Sequence, residues 1–83
     1  MLHGWFPPPR FLPYLTSAEI AALPDKTNAV IVQPVAAIEQ HGPHLPVAVD
    51  SVITCGVLGQ ALARLPSHVP CYALPPLCYG KSN

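Results

Sequence analysis

Ala29-Val30-Ile31-Val32-Gln33-Pro34-Val35 decides the fold. The run is β-branched and almost wholly apolar. Such a continuous run suits a strand buried on both faces, as in a parallel sheet. Pro34 marks its end, because proline cannot donate to a central ladder. Upstream, Thr16-Ser17-Ala18-Glu19 has the form of a capping box and predicts a short helix over 17–23. Ile20 and Leu23 are expected to face inward, and Pro24 and Asp25 end the helix. Residues 25–28 read as a polar turn.

Downstream, Val52, Ile53, Val57, Ala61, Leu62 and Leu65 recur at helical spacing and predict a helix over 50–64 with these residues inward. Asp50 or Ser51 can serve as its N-cap, and Pro66 stops it. Gly56 and Gly59 lower helix propensity but permit close approach of a neighbour. Val69 to Leu74 is a second strand candidate, bounded by Pro70 and Pro75-Pro76. Residues 77–83 read as a loop. The order helix, strand, loop, helix, strand begins an α/β pattern without completing a layered domain. Residues 1–15 form an aromatic, proline-rich arm, and Pro7-Pro8-Pro9 favours an extended polyproline-like conformation lying over the domain.

Composition narrows the function classes. Only 10% of the 83 residues are charged and the formal net charge is zero, with no Lys/Arg run, which argues against a nucleic-acid partner. A hydrophobic content of 51% argues against disorder. Cys55, Cys71 and Cys78 form no CxxC pair and read as reduced thiols of a cytoplasmic protein. No stretch has the form of a signal peptide or the length of a membrane span.

Chemistry concentrates in Ile38-Glu39-Gln40-His41-Gly42-Pro43-His44-Leu45-Pro46-Val47-Ala48-Val49-Asp50, which holds two of the four acids and two of the four histidines. This loop follows the first strand, where open α/β sheets place their ligands. Glu39 and His41 share one side of an extended segment, and Gly42-Pro43 can turn the chain so that Asp50 comes back toward them. Glu, His and Asp suit zinc, manganese or iron. The same residues also read as a surface charge, two loop histidines and a helix cap, and spacing alone leaves both readings open.

The run Pro34-Val35-Ala36-Ala37-Ile38-Glu39-Gln40-His41-Gly42-Pro43-His44-Leu45-Pro46, followed by Val49-Asp50, resembles the signature of the creatininase (creatinine amidohydrolase) family. Leu74 to Asn83, running into Tyr79-Gly80-Lys81-Ser82, is similar to that family's second landmark. Ala36 stands where the family often has glycine.

The resemblance implies a three-layer α/β/α fold with a mostly parallel sheet, incomplete here. Residues 1–83 would be the N-terminal part of one creatininase-like domain. It implies a hydrolase of C–N amide bonds, cyclic or linear, classed apart from peptide-bond hydrolases. Two divalent metals, zinc, manganese or iron, would occupy the full-length site. Glu39 would bind one metal, His41 the other, and Asp50 would bridge both. Gln40, Gly42, His44 and Tyr79 would line or shape the site. A further histidine and glutamate would lie beyond Asn83, so the isolated chain is expected to be inactive. The implied partners are a small-molecule amide substrate and, at full length, further copies in a homo-oligomer such as a hexamer. The rival reading is a truncated, non-catalytic paralogue acting as a binding or oligomerisation module. A small structural zinc domain is a third, weakened by the absence of Cys ligands.

Overall fold

The computed structural model describes residues 5–38 and 42–77. Its centre is a β-α-β unit. Strand β1 (Val30–Val32) precedes helix α2 (Val49–Ala63), which follows a loop over 42–48 and returns the chain to strand β2 (Cys71–Ala73). The strands pair in parallel, Val30 opposite Cys71, Ile31 opposite Tyr72 and Val32 opposite Ala73. A parallel pair needs such a crossover, because a tight turn can only join antiparallel strands.

The prolines set the length of the ladder. Regular pairing stops before Pro34 on one strand and Pro75 on the other, since neither residue offers an N–H. The Gln33 side chain fills part of the gap, donating from Nε2 to the Pro75 carbonyl at 2.7 Å. Pairing then resumes at Val35 and Leu77, where the Leu77 N–H donates to the Pro34 carbonyl at 2.8 Å.

Helix α1 (Ser17–Ala21) carries the expected capping box: the Thr16 hydroxyl accepts from the Glu19 N–H, and the Glu19 carboxylate accepts from the Thr16 N–H. It is shorter than expected, and its Ile20 is exposed. The polar turn is a 3₁₀ turn, Lys26–Asn28, entered through Asp25 in the left-handed region.

Three expectations are corrected. The arm is not an extended polyproline segment. It folds into two 3₁₀ turns, Pro8–Arg10 and Leu12–Tyr14. Phe6 and Phe11 are buried from it, with ring centroids 5.2 Å apart, and Phe11 bridges Ala73 on the edge of β2. The arm lies over the domain as a strap, and its Phe6 and Phe11 side chains complete the core. The core comprises Phe6, Phe11, Cys55, Leu62 and Ala73, with Leu58, Leu65 and Cys71 against it.

Secondly, α2 buries Ser51, Cys55, Gly59 and Leu62, whereas Val52, Ile53 and Val57 are exposed. Small residues make the inner stripe because the arm's backbone lies directly on it. A Cβ added to Gly59 would come within 2.5 Å of the Trp5 carbonyl oxygen. Thirdly, β1 is not covered on both faces: Val30 is 56% and Ile31 49% exposed. One helix and one neighbouring strand are too little to enclose it.

Candidate functional site

The loop between β1 and α2 is tied at its base. Ser51, in the first turn of α2, is fully buried, and its hydroxyl donates to the Ala37 carbonyl across 3.4 Å. The bond is long, but it closes the segment 37–51 on itself. It places the residue next to Asp50 against a residue two before Glu39. Within the loop, Gly42 takes φ +80°, a left-handed conformation that side chains disfavour and that glycine adopts without penalty. The turn expected at Gly42-Pro43 is thus present.

Asp50 is half-buried in the first turn of α2. Neither it nor Ser51 is the N-cap: that position is Ala48, which gives no side-chain cap. The helix starts one residue earlier than the motif suggested, so Asp50 points its charge at the positive end of the helix instead of closing it. His44 is exposed on the loop. Glu39, Gln40, His41 and Tyr79 lie outside the described residues. Among the described residues no group of three or more His, Cys, Asp or Glu could hold a metal ion. Gly42, His44 and Asp50 therefore sit on one tethered loop and helix start.

A sequence model of the creatininase family, described as creatinine amidohydrolase, matches residues 13–83. This chain belongs to the creatininase family. The match spans the loop, both strands and α2. The chain is also similar to the mycofactocin precursor peptide peptidase of Mycolicibacterium smegmatis, 36% identical over 56 residues. That alignment covers 65% of this chain and 23% of the relative, so it spans less than a quarter of the relative's length. No solved structure matches.

One residue that the sequence did not single out organises the far end of α2. Arg10 is 8% exposed and its guanidinium meets three backbone carbonyls. Nη1 donates to Val69 at 2.7 Å and to Cys71 at 2.9 Å, and Nη2 donates to Pro66 at 2.7 Å. These carbonyls belong to the turn after α2 and to the edge of β2 facing the arm. Their partners lie 56–61 residues away in sequence, and no local pattern announces them. Cys55 and Cys71 form no disulfide, Cys78 lies outside the described residues, and no described helix is long and apolar enough to cross a membrane.

Proposed function

We propose that this chain carries part of the metal site of an amidohydrolase, with Glu39, His41 and Asp50 as ligands. The observation that supports it most is the family match across residues 13–83, which contains all three residues. The structure adds a loop closed at its base by Ser51 and Ala37, with Asp50 at its closing end. Two carboxylates and one imidazole are hard and borderline donors, and the set fits zinc, manganese or iron. A bound divalent pair supplies Lewis acidity toward an amide carbonyl and lowers the pKa of water. The chain's own part is to hold the donors: Gly42 turns the loop, and Ser51 fixes its return.

The relative's name brings peptide amides into the substrate class alongside cyclic and linear amides. Half-buried Val32 and exposed Ile53 and Val57 line an open apolar groove of about 500 Å³ between β1 and α2. This supports a larger α/β/α domain in which further layers cover the sheet and α2, or an assembly that does so.

Metal analysis of the purified protein, with amide hydrolysis assayed on cyclic amides and short peptides, tests the proposal. Glu39→Ala and Asp50→Ala are each expected to lower zinc or manganese affinity about tenfold or more. Unchanged metal content in both variants would refute the assignment.

A further inference from the structure

Arg10 presents a buried charge that the proposed hydrolytic site does not use. Its guanidinium has five N–H donors. Three are engaged by the carbonyls of Pro66, Val69 and Cys71. The Nε–H and the second Nη2–H have no protein acceptor among the described residues. No buried side-chain polar atom among them lacks a partner. The Nε edge is therefore reachable from outside, although the residue as a whole is more than nine-tenths buried.

No carboxylate of the described residues neutralises this charge. Glu19 caps α1 and Asp25 accepts from Asn28. Asp50 lies at the opposite end of α2, about 18 Å along the helix from Leu62. A buried charge without a counterion is costly, and carbonyl dipoles offset only part of that cost.

Beside the guanidinium lies a pocket of about 360 Å³. Pro7, Leu23, Pro24 and Leu65 form apolar walls, and Tyr72 and Ser67 contribute hydroxyls. Tyr72, a residue of the pocket wall, is buried, and its hydroxyl has no partner among the described residues, so it too is an uncommitted donor. The volume lies within the range of small-ligand sites. Such sites combine apolar walls with a few converging polar groups, which is what this one has.

We propose that the pocket is a binding site for a small monocarboxylate on an apolar stem. The carboxylate takes the free guanidinium edge of Arg10 and the Tyr72 hydroxyl, and the stem lies along the prolines and leucines. Guanidinium matches carboxylate geometry through two parallel hydrogen bonds, and the carboxylate supplies the missing counter-charge. An amide of the same shape would supply no charge.

The test titrates the chain with hexanoate and with hexanamide, its neutral analogue, by calorimetry and by NMR of the Arg10 Nε–H. Hexanoate is expected to shift that resonance and to bind about tenfold or more tightly than hexanamide. Ser67→Glu, on an exposed turn, sets a tethered carboxylate on the rim and is expected to weaken hexanoate about tenfold while the circular dichroism spectrum stays unchanged. Tyr72→Phe, which removes only the hydroxyl, is expected to weaken it about fivefold. Equal binding of hexanoate and hexanamide, or no Arg10 Nε–H shift, would overturn the proposal. Inorganic phosphate binding as tightly as hexanoate would also overturn it, by showing an unselective anion hole.

Discussion

Gly56 and Gly59 lie one turn apart on α2, and replacing each by alanine should change stability in opposite directions. Both sit inside a helix, where Gly→Ala gains about 0.5–1 kcal/mol from backbone entropy. At Gly56 the new methyl would meet only the Trp5 ring, at 3.8 Å, an ordinary contact. At Gly59 it would meet the Trp5 carbonyl oxygen at 2.5 Å and the carbonyl carbon at 3.1 Å. These are backbone atoms and cannot rotate away. Relief to an ordinary contact means moving the arm by about 0.9 Å, and Phe6, the next residue, is part of the core. Overpacking of this kind costs about 1–3 kcal/mol. Gly56→Ala is therefore expected to stabilise by about 0.5–1 kcal/mol and Gly59→Ala to destabilise by about 1–2 kcal/mol. Urea unfolding followed by circular dichroism measures both. The single tryptophan, Trp5, adds a fluorescence probe at the contact itself. A Gly59→Ala protein as stable as Gly56→Ala would show that the arm does not bear on the helix, and the account of the small-residue stripe would fail.

Arg10→Ala should cost about 3 kcal/mol in the same unfolding assay, because it removes three charge-assisted hydrogen bonds, although the Pro66 and Val69 carbonyls keep backbone partners. Arg10→Lys should recover less than half of that, since an ammonium cannot span three carbonyls in the same fork, and full recovery would contradict the geometry. Ser51→Ala should cost about 1 kcal/mol and speed amide exchange over residues 42–48, read by mass spectrometry. Unchanged exchange there would mean that the Ala37 contact does not hold the loop.

Local features were legible in the sequence because their physics is local. Thr16 and Glu19 cap α1 within four residues, and Pro34, Pro66 and Pro75 bound their elements by lacking an N–H. The β-branched run around Ile31 became a parallel strand as read. The inward face of α2 was not legible. Hydrophobicity ranks Ile53 and Val57 above Ser51 and Gly59, yet closeness of backbone approach decided the packing, and only the partner's position reveals that. Arg10 was invisible for the same reason, since all its acceptors lie on a distant part of the chain. At the site, Gly42 was expected from its turn and has the expected backbone. Asp50 was expected as a cap and is instead the second residue of the helix, because Ala48 starts α2 without a side-chain bond.

The arm's position has a consequence during synthesis. Phe6 and Phe11 leave the ribosome before Cys55, Leu62 and Ala73, the surfaces that bury them, which are made about 44–67 residues later (55 − 11 to 73 − 6). At typical translation rates the two aromatic side chains wait about 3–12 s without a docking site. For that interval the nascent chain offers a solvent-exposed aromatic and proline-rich segment of the kind that holdase chaperones capture, and it loses this segment when β2 is complete.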